Sequence, residues 1–210
     1  AKNAHAWNDI RSLQVEEAAV EAAMLDLVGG TPFDALLDIG TGTGRVIALL
    51  DGLFARAVGV DQSHAMLAIA RAELDRANIG NVQIRQGDIY SLALPRDSFD
   101  LITIHQVLHY LDDPARAIRE AARVLRPGGR MLITDLAPHA VERLRDEHAH
   151  RRLGFSHGEI ARALAAAGLD HVTIRDVPSP GSQKLGVTLW LAKDQRFTLA
   201  RTQTPKEFQA

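Results

Sequence analysis

The sequence contains no cysteine among its 210 residues. Disulfides, thiolate nucleophiles and cysteine-rich zinc sites are therefore excluded together. The chain also has no run of 18 or more apolar residues, which a membrane-spanning helix would need. It begins at Ala1 without an initiator methionine, a basic-then-apolar signal region or a small-residue cleavage site of the secretory type. These absences predict a soluble, cytoplasmic protein, which can be a trimmed or excised part of a longer chain.

An excess of charge of one sign is also missing. Lys and Arg number 24 against 26 Asp and Glu, so the formal net charge is −2. A protein that grips long nucleic acid through phosphates needs a broad basic field, and that class is disfavoured. The hydrophobic fraction of 46% suits one compact domain with a full core. A small ligand or a local protein contact fits this balance better, while a homodimer is left open.

Short apolar runs alternate with helix-like stretches through the middle of the chain. The strand-like runs are 36–39, 55–60, 82–86, 99–104 and 130–135, and the helix-like stretches are 44–51, 63–77 and 114–125. Such alternation predicts an α/β fold with a parallel sheet covered on both faces by helices. An earlier helical pattern spans residues 7–28.

The order of elements changes after residue 135. A polar helical stretch is predicted at 138–153 and a capped helix at 156–168, followed by strands at about 171–177 and 184–193. The connection between these two strands is too short for a crossover helix, so they form an antiparallel hairpin at the sheet edge. The predicted fold is therefore a doubly wound, Rossmann-like sheet of seven strands, mostly parallel with an antiparallel last strand.

A glycine-rich turn follows the first strand-like run, in the sequence Asp38-Ile39-Gly40-Thr41-Gly42-Thr43-Gly44. Glycine is needed where a chain turns sharply off a strand and lets a ligand touch backbone N–H groups. The third glycine comes one residue earlier than in the G-x-G-x-x-G fingerprint of dinucleotide sites. Asp38 would repel a pyrophosphate but suits the cationic groups of S-adenosylmethionine (SAM). The loop favours SAM over NAD, with these cofactor-binding candidates: Asp38, Gly40, Thr41, Gly42 and Gly44.

Acidic residues also follow the next two strand-like runs. Asp61 comes 21 residues after Gly40, a spacing at which a carboxylate can accept both ribose hydroxyls, although it could instead cap a helix. Asp88 can accept the adenine amino group while Ile89 packs on the ring, or it is an ordinary turn residue. Met66 either closes over adenine or belongs to the core. The cofactor-binding candidates in these two regions are Asp61, Gln62, Met66, Gly87, Asp88 and Ile89.

Taken together, these residues resemble a known family. The series 36–44, 59–61, 87–89, 100–102 and Val124-Leu125-Arg126-Pro127-Gly128-Gly129 is similar to the class I methyltransferases of the ubiquinone/menaquinone-biosynthesis type, methyltransferase type 11. The resemblance covers about residues 35–135. It implies a seven-stranded sheet with an antiparallel last strand and SAM as the methyl donor.

Residues 7–13, 105–111 and 151–156 are similar to bacterial proteins in which such a domain follows a winged-helix repressor module of the ArsR type. This resemblance implies that the 210 residues are the C-terminal portion of a longer chain. The predicted organisation is a helical lid at 1–30, a methyltransferase domain at 31–193 and a tail at 194–210. In the lid, Arg11 can pair with the SAM carboxylate and Trp7 can wall the pocket, or the helix simply docks.

The sequence leaves the catalytic residue unknown. The methyl carbon is already activated by the sulfonium, so alignment and water exclusion can suffice, with a base needed only for a protonated nucleophile. His105 is a candidate for cofactor contact, or a buried structural histidine. His105 and His139 are also weak candidates for a general base. Six histidines lie between residues 105 and 157 without a zinc-binding spacing, so no metal site is predicted.

The leading prediction is transfer of a methyl group from SAM to a small-molecule acceptor that the sequence does not name. An Asn-Pro-Pro-Tyr-like motif for flipped bases is absent, as are the cysteines of an arsenite methyltransferase. A basic face formed by Arg143, Arg145, Arg151 and Arg152 can meet an acidic substrate or partner, or stay solvated. The alternatives are a SAM-sensing regulatory module with little turnover and an NAD(P)-dependent oxidoreductase, which the early third glycine disfavours.

Overall fold

A computed structural model describes residues 17–148, 150–178 and 185–196. In chain order its elements are helix α1 (Glu17–Val28), strand β1 (Phe33–Ile39), α2 (Arg45–Leu49), β2 (Phe54–Asp61), α3 (His64–Arg76), β3 (Val82–Gln86), β4 (Phe99–His105), a 3-10 turn (Leu108–Tyr110), α4 (Pro114–Val124), β5 (Leu125–Leu136), α5 (Arg143–His148), α6 (His157–Ala166), β6 (Leu169–Val177) and β7 (Val187–Asp194).

All seven strands join one sheet in the order β3-β2-β1-β4-β5-β7-β6. Strands β1 to β5 pair in parallel, and β7 runs antiparallel to both β5 and β6. The predicted α/β fold with a terminal antiparallel hairpin at the sheet edge is thereby confirmed. The chain steps outward from β1 to β3 and then returns to place β4 on the other side of β1. Ligands of such sheets bind at this reversal, beyond the carboxyl ends of the strands.

The central strands are apolar throughout because they are covered on both faces. In β1, Leu37 and Ile39 pack into one core cluster while Leu36 packs into the other. Helix α1 buries Val20, Met24 and neighbouring residues in the second cluster, so it is part of this packing. None of the helices that the structure describes has both the length and the apolarity that a membrane crossing requires.

Side-chain caps start three helices where the sequence predicts them. The Ser63 hydroxyl accepts the Met66 N–H at α3, the Asp113 carboxylate accepts the Arg116 N–H at α4, and Ser156 caps α6. Each cap satisfies a backbone donor that has no partner within its helix. These starts are set by residues close in sequence, which explains why local patterns locate them.

Two predicted elements differ in the structure. The helix expected at 138–153 is reduced to α5, because the His139 N–H donates to the Leu153 carbonyl and the Phe155 N–H to that of Leu136. These bonds tie the two ends of the segment together in non-helical conformations. Strand β5 begins at Leu125, five residues earlier than expected, and its pairing with β4 skips from Leu125 to Arg130. Gly128 and Gly129 therefore lie in the irregular part of the strand, between the residues that pair with β4.

Candidate functional site

The glycine-rich loop leaves β1 at the carboxyl edge of the sheet and is held by β2. The N–H groups of Gly40 and Thr41 both donate to the Val60 carbonyl, at 2.8 and 3.0 Å. Gly40 has a φ of +73°, and a Cβ there would collide with the side chain of Val107, which follows β4. Glycine is required at this position both by the backbone conformation and by the close approach of the neighbouring loop.

Asp38, the last polar residue before the loop, is only 1% exposed. The Thr103 hydroxyl of β4 donates to its Oδ1 at 2.7 Å, while Oδ2 has no hydrogen-bond partner among the described residues. Burial raises the pKa of this carboxyl from 3.8 to about 6, and the hydroxyls of Thr103 and the nearby Thr41 oppose that rise. Asp38 is therefore mostly ionised at neutral pH with one oxygen unsatisfied, which is the arrangement that a bound cation would complete.

Asp61 connects the end of β2 to the glycine loop. The Gly42 N–H donates to its Oδ2 at 2.9 Å, and the Ser63 N–H donates to its Oδ1 at 2.8 Å. The helix cap of α3 is Ser63, so Asp61 does not have the capping role that was its alternative. A carboxylate oxygen can accept more than one hydrogen bond. Asp61 thus orients the loop and keeps acceptor capacity for a ligand.

Two further cofactor candidates, Met66 and Gln62, differ in how close they lie to the glycine-rich loop. Met66 is half-buried, and its Cε would lie 3.7 Å from a Cβ built on Gly42. Gln62 is exposed, and its carbonyl accepts the side-chain amide of Gln86. Met66 therefore lies against the loop, whereas Gln62 is held at the outer side by the end of β3.

The turn after β3 presents one exposed and one buried residue. Asp88 is exposed, and its Oδ1 accepts the Tyr90 N–H at 2.9 Å, as a turn aspartate does. Ile89 is 6% exposed and belongs to the first core cluster. Gly87 lies so close to Val60 that a Cβ would be 2.7 Å from its Cγ1. Asp88 has its second oxygen available for a ligand, and Ile89 presents little surface.

Two predicted histidines lie at the carboxyl edge of the sheet, His105 as the last residue of β4 and His139 after the end of β5. His105 ends β4, and its Nδ1 is buried with no hydrogen-bond partner among the described residues. His139 accepts the Val141 N–H through Nδ1, while its Nε2 is buried and likewise unpartnered in the described chain. Burial lowers the pKa of both rings, reinforced at His139 by the nearby His109. Both side chains are therefore neutral at pH 7 and able to accept a proton.

A buried histidine and carboxylate pair joins the ends of β4 and β5. His109 Nδ1 lies 2.6 Å from Asp135 Oδ1, and the two side chains are 2% and 0% exposed. Asp135 also accepts the N–H groups of Leu108 and Leu136, at 2.9 and 2.7 Å. The sequence did not predict this pairing. The pairing depends on the 3-10 turn Leu108–Tyr110, which brings His109 back over β5 and which no pattern in the sequence indicated.

Residues 150–154 close over this pair. The N–H groups of Arg151 and Arg152 donate to the His109 carbonyl, and the His150 ring lies 4.3 Å from the His109 ring. A cavity of about 690 Å³ opens next to this segment, and three members of the predicted basic face, Arg145, Arg151 and Arg152, line it with Asp112 and Glu159. Arg151 pairs with Asp112 at 2.7 Å, and Arg152 contacts Glu159 at 3.3 Å.

Helix α1 reaches the glycine loop from the N-terminal side. Glu21 forms an ion pair of 2.5 Å with Arg45, the residue that follows Gly44, and Glu17 lies 3.8 Å from the same guanidinium. Trp7 and Arg11 lie outside the described residues. Within the described chain, no three His, Asp or Glu side chains come together as a metal-binding group.

Comparison with known proteins identifies similar sequences. Residues 37–133 match the family model of a methyltransferase domain. The chain is 33% identical over 162 residues to a 37.1 kDa protein of a Streptomyces fradiae transposon, covering 71% of this chain and 46% of that protein. It is 37% identical over 129 residues to a ubiquinone/menaquinone biosynthesis C-methyltransferase of Vibrio parahaemolyticus, covering 57% and 48%. The chain thus spans less than half the length of these relatives.

A solved structure shares the fold. The crystal structure of the YcgJ protein from Bacillus subtilis superposes with a TM-score of 0.72 at 22% identity, and the match covers 86% of this chain and 99% of that one. The structural match is therefore longer than the 37–133 segment that the family model covers. It shows that the sheet order and its terminal hairpin are those of a known architecture.

Proposed function

We propose that this protein transfers a methyl group from SAM to a small-molecule acceptor, because residues 37–133 match the family model of a methyltransferase domain and the chain is similar to a C-methyltransferase. The observation that carries the proposal is the pair of carboxylates on the glycine loop. Asp38 is buried at the start of the loop with an unsatisfied oxygen, and Asp61 is bonded to its middle. This charge distribution attracts a cationic cofactor and repels a pyrophosphate.

In this proposal, each candidate has a role suited to its chemistry. Asp38 pairs with the ammonium group of the methionine part, and His105 borders that part. Asp61 accepts the ribose hydroxyls, while Asp88 accepts the adenine amino group between Met66 and Ile89. The backbone of Gly40, Thr41, Gly42 and Gly44 lets the cofactor approach closely, with Gln62 and Gly87 at its rim. Bound SAM supplies an electrophilic methyl carbon that is already activated by its sulfonium.

The acceptor is assigned to the side of the sheet formed by the ends of β4 and β5 and by residues 136–157. Since the methyl carbon needs no further activation, these residues act by aligning the acceptor and excluding water. Where the nucleophile carries a proton, the neutral imidazole of His105 can accept it through Nδ1, which has no partner in the described chain. His139 is the second candidate, but its Nδ1 already accepts the Val141 N–H, so Nε2 carries the ring proton and His139 acts as a base only after giving up that bond. The buried pair of His109 and Asp135 holds the ends of β4 and β5 together on this side of the sheet.

The helical lid of the domain is assigned to residues 1–30, of which the structure describes those from Glu17 onward. The support for this role is the ion pairing of Glu17 and Glu21 with Arg45, which brings the start of α1 to the glycine loop. Closure by this segment would shield the reacting groups from water. The proposed domain bounds remain 1–30 for the lid and 31–193 for the methyltransferase domain.

Calorimetric titration tests the cofactor assignment. SAM and S-adenosylhomocysteine are expected to bind with one-to-one stoichiometry, and NAD is expected not to bind. Asp38→Asn should weaken SAM binding, whereas Asp51→Asn, an exposed aspartate in the turn after α2, should not. Absence of binding for both SAM and its product would refute the proposal.

Turnover requires a separate measurement. Incubation with methyl-labelled SAM and a panel of small metabolites should yield a labelled product that His105→Ala or His139→Ala reduces if the acceptor is protonated. Tight SAM binding with no labelled product from any acceptor would instead favour the regulatory, SAM-sensing function.

A further inference from the structure

A second cavity, of about 570 Å³, runs along helix α4. Its walls are this helix, the chain between Tyr90 and Arg96, and the chain after α6. Five arginines line it, accompanied by two acidic residues, and the arginines are Arg96, Arg116, Arg119, Arg123 and Arg196. We call this cavity, with its five arginines and two acidic residues, the arginine groove. Its formal charge is +3, counting Glu120 and Asp194 against the five guanidinium groups, in a chain whose net charge is −2.

Two of the five arginines are fixed by the protein itself. Arg123 pairs with Glu120 at 2.7 Å and donates to the carbonyls of Leu92 and Leu94. Arg196 pairs with Asp194 at 2.7 Å and, outside the cavity, with Asp97 at 2.8 Å, and it donates to the carbonyl of Leu125. These contacts use both acidic residues of the groove and hold the two guanidinium groups in place.

The other three arginines, Arg96, Arg116 and Arg119, are exposed and form no ion pair within 4 Å of a described carboxylate. Arg116 is close enough to Glu120 to help lower the pKa of that carboxyl, but Glu120 is bonded to Arg123. The Arg116 guanidinium lies 5.0 Å from the centre of the Tyr90 ring, which orients it. Like charges held near one another repel, so the groove carries an excess of positive charge that an anion would relieve.

Most of the arginine groove lies away from the proposed cofactor site, although Tyr90 at one end of it donates its N–H to the adenine candidate Asp88. Asp194 ends β7 and is paired with Leu169 at the start of β6, which places it at the amino-terminal edge of the parallel strands. The glycine loop, Asp61 and His105 lie at the carboxyl edge. Helix α4 runs between the two edges, so the groove extends away from the cofactor candidates.

We propose that the arginine groove binds a small polyphosphate. The planar guanidinium group matches the oxygens of a phosphate or a carboxylate with two parallel hydrogen bonds, and a polyphosphate is favoured because it carries the higher charge. The cavity volume lies in the range of small-molecule sites. The three arginines without an ion pair come from two parts of the chain, since Arg96 lies before β4 and Arg116 and Arg119 lie in α4. An anion with several charged groups can therefore contact more of them than a single phosphate can.

Calorimetry with inorganic tripolyphosphate, in a phosphate-free buffer and without SAM, tests this proposal. One-to-one binding is expected, and it should weaken as ionic strength rises because the charges are exposed. Arg96→Ala and Arg119→Ala should each lower the affinity by about tenfold or more, the effect of losing one charge-assisted hydrogen bond. Arg162→Ala is the matched control, since it removes the same charge from an exposed position of α6 outside the groove.

Several results would overturn the proposal. They are the absence of tripolyphosphate binding at millimolar concentration, and equal affinities for Arg119→Ala and Arg162→Ala. Citrate binding as tightly as tripolyphosphate would contradict the preference for phosphate, and tighter binding of a single-stranded oligonucleotide would contradict a small ligand. SAM titration of the same variants should be unchanged, so that a failure here is distinguishable from a failure of the proposed methyltransferase function.

Discussion

Replacing Asp38 with asparagine tests whether burial of this carboxyl lowers the stability of the folded protein as the pH rises. The pKa of Asp38 is 3.8 in an unfolded chain and about 6 in the folded protein, where burial is the main cause. Between these values the unfolded chain has released a proton that the folded chain still binds. The free energy of unfolding therefore falls as the pH increases from about 4 to about 6.

The expected size of this effect follows from the two pKa values. Since each pKa unit is worth about 1.4 kcal/mol, the rise from 3.8 to about 6 amounts to about 3 kcal/mol. An asparagine side chain has no proton to lose, so Asp38→Asn should gain about 3 kcal/mol relative to the wild type between pH 4 and pH 7. The amide oxygen of the asparagine still accepts the Thr103 hydroxyl. Any cost of burying the amide nitrogen is the same at each pH and does not change the trend.

Urea unfolding without SAM, at several pH values from 4 to 8, measures this difference. The wild type, Asp38→Asn and Asp51→Asn should be compared, because Asp51 is exposed and controls for the loss of one negative charge. A difference between Asp38→Asn and the wild type that stays constant across this range would refute the reasoning.

The same carboxyl should also make cofactor binding pH-dependent. If ionised Asp38 pairs with the ammonium of SAM, affinity is highest above pH 6 and falls by about tenfold per pH unit below it. Calorimetric titrations at pH 5, 6, 7 and 8 measure this dependence. In Asp38→Asn the affinity should be lower at pH 7, and its decline below pH 6 should be absent.

Three further substitutions probe the site. Asp61→Ala should weaken SAM binding by about 1.5 to 3 kcal/mol in calorimetry, the scale of a lost charge-assisted hydrogen bond, and an unchanged affinity would exclude its ribose role. Gly40→Ala should destabilise the fold by about 2 to 4 kcal/mol in urea, because it adds a left-handed backbone strain to a collision with Val107; a cost below 1 kcal/mol would contradict the collision. His109→Ala should cost about 3 kcal/mol in urea since Asp135 loses its buried partner, and a neutral result would show that the pair is dispensable.

The sequence alone located most of the helices and strands. Helix caps and loop glycines act on neighbours within a few residues, so the sequence alone can predict them. Examples are the caps Ser63, Asp113 and Ser156 and the glycines of the first loop. The continuous apolar runs reported that the strands are buried on both faces. From parallel strands alone it also follows that residues at strand ends, such as Asp38 and Asp61, share one edge.

The tertiary structure decided the features that depend on contacts between distant segments. The stretch 138–153 has helical periodicity, but the bonds of His139 to Leu153 and of Leu136 to Phe155 stop most of it from forming a helix. The pairing of His109 with Asp135 needs a 3-10 turn and two adjacent strand ends, and neither residue type signals it.

The tertiary structure also determines which groups surround each charged side chain. Asp38 acquires its raised pKa from burial against β4, and Asp61 acquires its bond to Gly42 from the fold of the loop. The arginines of the groove lie between residues 96 and 196. The sequence shows their charges, but only the structure shows that they lie close together. Local sequence specifies which conformations a segment prefers, whereas electrostatic environments depend on distances through space, and those are set only when the whole sheet has assembled.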